Sequence, residues 1–194
     1  MVCLGGGYLQ RASCFFLVLS ALACRSKPAK QETPAFFPVV SFIGGQIHHV
    51  DSLQLPVQKL TIANNRTDTA LLSIPEFKQL AKEFTTPDIN DPAISKYYQE
   101  NSFADQTIAS ITFTYATTNK HLPLQRLDVI IHPDPVLNDR VESIYMEKNE
   151  QLKDTLVLKK LYWKADRNFQ IITTKGWKAQ STSSVVKVMW MDDY

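Results

Sequence analysis

The sequence predicts an α+β fold, with two helices packed on one face of a curved antiparallel sheet of six to eight strands. Three observations point there. A capped amphipathic stripe occupies residues 73–84, and six or seven strand-like apolar segments follow it towards the C-terminus. Those segments alternate only in part, which fits a sheet with one face on the core and the other partly wet.

The elements follow in chain order. Val39, Val40, Phe42, Ile43, Ile47 and Val50 recur at helical spacing and predict a first helix over residues 38–51. Gly44-Gly45 opposes it, at about 1 kcal/mol per glycine relative to alanine, and keeps a strand over residues 36–43 as the alternative. The helix is favoured. Val57–Ala63 reads as a strand ended by the turn-forming Asn64-Asn65. Ser73 and Glu76 then make a capping box with Pro75 in the first turn. Phe77, Leu80, Ala81 and Phe84 supply the buried stripe of this second helix, and residues 85–92 (TTPDINDP) stop it.

Beyond Tyr97 the chain reads as strands. In Ser110–Ala116, Ile111, Phe113 and Tyr115 face one way and Ser110, Thr112 and Thr114 the other. Leu127, Val129 and Ile131 repeat the pattern, and residues 141–146 follow a Pro-Asp-Pro turn. Thr155–Lys164 and residues 169–174 flank a hairpin-length connection, and residues 185–190 close the series.

Length and composition agree with a single domain. The 194 residues are 44% hydrophobic and 21% charged, which excludes wholesale disorder, collagen-like repeats and a polytopic membrane protein. A net charge of +2 is too mild to imply a nucleic-acid partner.

The N-terminus carries the strongest address. Arg11 precedes an apolar or small run over residues 12–23 (ASCFFLVLSALA), too short for a membrane-spanning helix of about 20 residues but of the length of a secretory h-region. The run ends in Ala21-Leu22-Ala23-Cys24 and turns abruptly polar. All three cysteines, Cys3, Cys14 and Cys24, fall by position 24, so the exported part forgoes disulfides that its compartment would permit. This junction resembles the lipobox of a bacterial lipoprotein precursor, with Ala21 where that family more often has Leu. The resemblance implies a signal peptide at residues 1–23, lipid attachment at Cys24, a tether at residues 24–35 containing Pro28 and Pro34, and one domain at residues 36–194. Acyl chains, at about 0.8 kcal/mol per buried CH₂, would make the membrane a partner through the anchor alone. Arg25 lacks the Asp associated with inner-membrane retention, and the tether has no acidic cluster of the kind linked to surface export, so the expected location is the periplasmic face of the outer membrane. The segments FIGGQIHHVDS (42–52), NSFADQTIASITFTY (101–115) and LYWKADRNFQIITTK (161–175) are similar to those of small predicted lipoproteins of Bacteroidota. That group implies location and architecture, and no activity.

Chemical motifs are sparse. His48-His49 with Asp51 is the one histidine cluster, and neighbouring helical positions diverge by about 100°, against a shared metal ion. His121 and His132 are isolated in sequence. After Cys24 the glycines are Gly44, Gly45 and Gly176, too few to write a phosphate-cradling loop, and no G-x-S-x-G is present. Asp88, Asp91, Asp128, Asp134 and Asp139 fit turn and cap chemistry better than a two-carboxylate site. No cofactor, metal or catalytic residue is expected.

One asymmetry remains. Residues 148–194 hold nine Lys/Arg and five Asp/Glu, together with Trp163, Trp177 and Trp190. Tyr162 and Lys164 share a strand face opposite Trp163, while Trp177 follows Gly176 in an expected loop. Trp177, Tyr162 and Lys164 are therefore the candidate binding surface, for an envelope protein, a glycan or a lipid, and Trp190 is expected in the core. The expected role is a non-enzymatic binding or interaction module. The alternatives are a carrier of lipid or another apolar ligand, with a cavity between sheet and helices, and an envelope hydrolase.

Overall fold

In the computed structural model, which describes residues 36–134, 139–177 and 180–190, the contested first segment is a helix, α1 (Val39–Ser52). The signal run, Cys24 and the tether lie outside the described residues. Gly44 and Gly45 fall on the solvent side of α1, where a Cβ would meet nothing within 4 Å. Val39, Ile43 and Val50 are buried on the other side, and that burial outweighs the glycine penalty.

The chain continues through β1 (Val57–Ala63) and β2 (Arg66–Leu72) to α2 (Ile74–Ala81), which runs into a 3₁₀ turn over Lys82–Phe84. The Glu76 carboxylate reaches back to the Ser73 backbone N–H at 2.9 Å and to its hydroxyl at 2.6 Å. Those two bonds hold its pKa below the ordinary value. Phe77, Ala81 and Phe84 are buried, as the stripe requires, and Leu80 is half-buried. A short α3 (Pro92–Ser95) follows, its N-terminus capped by the Asp91 carboxylate on the Ala93 N–H.

The remaining strands are β3 (Gln99–Asp105), β4 (Ser110–Ala116), β5 (Leu124–His132), β6 (Arg140–Leu152), β7 (Thr155–Lys164), β8 (Asn168–Trp177) and β9 (Gln180–Trp190). All nine strands form one antiparallel sheet in the order β2-β1-β9-β8-β7-β6-β5-β4-β3. From β3 to β9 the sheet is a meander; β1 returns to pair with β9.

Two corrections follow. The sheet has nine strands rather than six to eight, because β2 (RTDTALL) and β3 (QENSFAD) are strands without a buried apolar face. They are the two edges, where a strand has one neighbour and can stay polar. Gly176 and Trp177, expected in a loop, instead extend β8 and pair with Leu156 and Thr155 of β7.

The helices cover one face. Phe77 of α2 packs on Phe169 and Trp190 at 6.0 and 5.6 Å between ring centroids, and Phe84 meets Trp163 edge-on at 5.1 Å. Trp163 stacks on Phe169 at 5.1 Å and lies 5.4 Å from Trp190. Trp190 is buried as expected, and Trp163 with it. Strand alternation turns Tyr162, Lys164, Tyr145 and His132 to the other face, which no described helix covers.

Candidate functional site

The open face owes its most structured polar feature to an irregularity in β6. Ile130 pairs with Ser143 and Ile131 with Val141, so Glu142 is an extra residue without a partner across the ladder. A β-bulge of this kind re-aims a side chain that regular alternation would send elsewhere. By alternation from the buried Ile144, Glu142 would face the helices; the bulge turns it out to meet Lys164 of β7 and His132 of β5.

The geometry is tight. Lys164 Nζ donates to Glu142 Oε1 at 2.5 Å, and His132 Nε2 lies 2.6 Å from Glu142 Oε2. His132 Nδ1 faces the carbonyl of Ala109 at 3.3 Å, in the β3–β4 turn, where Ala109 adopts φ 46°. Both ring nitrogens therefore face oxygen atoms of the protein. The hydrogen bond from Lys164 holds the Glu142 carboxyl below the usual range; burial opposes it, and His132 adds to the lowering.

Around this triad lies a recess of about 430 Å³ whose lining adds Arg140, Arg167 and the carboxylate of Asp134. The β7–β8 turn that carries Arg167 is pinned from several directions. Gln46 of α1 and Asp166 exchange two hydrogen bonds of 2.7 Å, the Ala165 N–H donates to the Glu142 carbonyl, and the Trp190 N–H to the Arg167 carbonyl. Arg140 is 78% exposed, and its Nη2 stands 3.9 Å from Asp166 Oδ2, an ion pair without a hydrogen bond.

The candidate surface residues separate. Lys164 lines the recess, and Tyr162, two residues away on the same face, is exposed and paired across β6 with Tyr145. The backbone of Trp177 lies at the far end of the β7–β8 hairpin, opposite Thr155, whereas Lys164 pairs with Asn168 at the turn end. The Trp177 side chain lies outside the described residues. Sequence reasoning missed Glu142, Arg140 and Arg167, and set His132 aside as isolated. Of the histidines and carboxylates weighed for chemistry, Asp51 takes Lys78 at 2.7 Å, Asp88 and Asp91 accept from nearby backbone N–H groups, and Asp128 pairs with Arg126 and Thr114. Among the described residues no group of three or more His, Cys, Asp or Glu converges on a metal position.

A second charged cluster sits on the helix-covered face. Lys148 is 4% exposed and donates to the carbonyls of Glu83 and Thr86, beside the last turn after α2, with the Glu83 carboxylate 3.7 Å away. Burial pulls its pKa down, against the pull of Glu83. Lys159 bridges Glu83 at 3.0 Å and Glu150 at 3.3 Å. Burial also pulls on Lys159, but the two carboxylates outweigh it and raise its pKa.

Comparison with protein-family models, with curated proteins and with solved structures returns no match to this chain.

Proposed function

We propose that the chain is a lipid-anchored protein of the cell envelope, held through Cys24 at the periplasmic face of the outer membrane, whose domain is a non-enzymatic binding module. The secretory-length apolar run, the small residues before Cys24 and the lack of any later cysteine support the anchor. Among the described residues no helix is long and apolar enough to cross a membrane.

One observation carries the binding role. The helix-covered face is filled by Trp163, Phe169, Trp190, Phe77 and Phe84, and the apolar void found there between α1, Phe84 and β5–β6 is about 10 Å³, near the lower limit for one water. An apolar cargo needs several hundred Å³. The open-face recess, about 430 Å³, is polar and preorganised; a second recess of about 440 Å³, beside Leu55, Leu71, Leu72 and Ile74 at the end of β2, has the more apolar lining. Among the described residues no hydroxyl or thiol side chain lines the open-face recess, and both nitrogens of His132 are engaged, which favours binding over hydrolysis.

The test has two parts. Intact-mass analysis of the mature protein should find an acylated N-terminal Cys24, and Cys24→Ala should move the protein from the membrane to the soluble fraction. Organic extraction of the purified protein should release no stoichiometric lipid beyond the anchor. An unmodified N-terminus elsewhere overturns the anchor; an extractable bound lipid overturns the binding-module reading in favour of a carrier.

A further inference from the structure

We infer that the open-face recess binds a sugar carrying one anionic group, a carboxylate or a phosphate, with the anion held by Lys164, Arg140 and Arg167 and the sugar hydroxyls held by Glu142. The inference deepens the binding-module reading and rests on it.

The donors come first. Three basic side chains, Arg140, Lys164 and Arg167, line one opening with the carboxylates Glu142 and Asp134. Lys164 commits one of its three N–H donors to Glu142 Oε1 and keeps two. Arg140 makes no hydrogen bond to Asp166 at 3.9 Å, and Asp166 Oδ1 is already taken by Gln46. A guanidinium fork matches the paired oxygens of a carboxylate or phosphate. Binding such a group would complete donors that the described residues leave incomplete.

The acceptor side sets the rest of the ligand. Glu142 uses one lone pair of Oε1 on Lys164 and one of Oε2 on His132, so each oxygen retains acceptor capacity. Its lowered pKa keeps it ionised, an acceptor of hydroxyl protons. A bare anion would leave the acceptors of Glu142 unused and would face the charges of Glu142 and Asp134. A ligand with hydroxyls beside its anionic group would satisfy both sides. The volume, about 430 Å³, suits one or two sugar rings. Tyr162, beside Lys164 on the same face and 39% exposed, offers an apolar ring at the margin. The pinned β7–β8 turn means that little ordering remains to be done on binding.

The experiment is calorimetric titration of the full lipidated chain in detergent micelles with four probes: galacturonate, glucose 6-phosphate, galactose and inorganic phosphate. The expected result is that at least one of the two charged sugars binds at least tenfold more tightly than galactose and than inorganic phosphate. Galacturonate binding alone assigns the carboxylate source, and glucose 6-phosphate binding alone the phosphate source. Arg167→Ala and Lys164→Met should each weaken the binding tenfold or more, with the thermal midpoint of Arg167→Ala unchanged. Equal binding of galactose overturns the anionic requirement, and equal binding of inorganic phosphate overturns the sugar. Silence from all four overturns this ligand class. The anchor and extraction experiments stand apart from these titrations, so failure here is distinguishable from failure of the binding-module reading.

Discussion

The two faces of β6 and β7 use the same residue types for opposite ends. On the helix-covered face Lys148 is buried, donates to two main-chain carbonyls and tops the end of the α2 turn, where the helix dipole favours a cation. On the open face Lys164 holds Glu142 from the side and keeps part of its ammonium towards solvent. Burial forces each polar group to find partners within the protein; at a wet face a group can remain partly uncommitted. A charged cluster is a candidate for recognition only where its capacity is left over. Lys148 fails that criterion and Lys164 meets it.

The contrast can be broken by substitution at adjacent residues. Trp163→Ala on the covered face should cost about 3–5 kcal/mol, the range for emptying a large aromatic site, whereas Tyr162→Ala on the open face should cost no more than about 1 kcal/mol. Urea unfolding of the two variants measures both, and equal losses would refute the assignment of faces. Next in size, Lys148→Met should lose about 1–3 kcal/mol, because the carbonyls of Glu83 and Thr86 are left without their donor in a buried setting.

A smaller effect sharpens the other face. The folded state holds the Glu142 carboxyl below its ordinary value of 4.5, so the unfolded chain takes up this proton first as the pH falls. The stabilisation is therefore complete above about pH 4.5 and is lost as the pH drops below it towards the folded value. Its size should be under about 1 kcal/mol, since solvent reaches the pair and screens it. Glu142→Gln should flatten the acid limb of stability against pH; an unchanged limb means that Lys164 does not hold the carboxylate. The smallest expected response is optical. In Trp177→Phe, the two remaining tryptophans, Trp163 and Trp190, are 0% and 3% exposed, and aqueous iodide should leave their fluorescence nearly unquenched.

Much of the fold was legible because burial writes periodicity into a sequence. Val57–Ala63 and Thr155–Lys164 have the ends that alternation and turn residues predict, and the Ser73/Glu76 box marks the start of α2. The edge strands were invisible for the same reason: Gln99–Asp105 has no buried residue to repeat. The recess was illegible in a different way. His132, Glu142 and Lys164 come from three strands, and only the sheet register makes them neighbours. One trace was there to be read. Val141, Ile144 and Met146 are all buried, and the gap of three between the first two breaks the period of two, as a bulge must. Leu124 and Leu127 carry the same signature beside the second register shift, in β5.

The pairing of β1 with β9 has a consequence for how the chain reaches its folded state. Val57 sits against Trp190, so strand β1 gains its second neighbour only when the last strand is in place. An N-terminal fragment can form the β1–β2 hairpin, and an isolated hairpin is marginal in water. Contacts this far apart in sequence slow folding towards the millisecond-to-second range. The sheet thus closes around β1 only after the C-terminal strand has been made, and the domain locks as one unit.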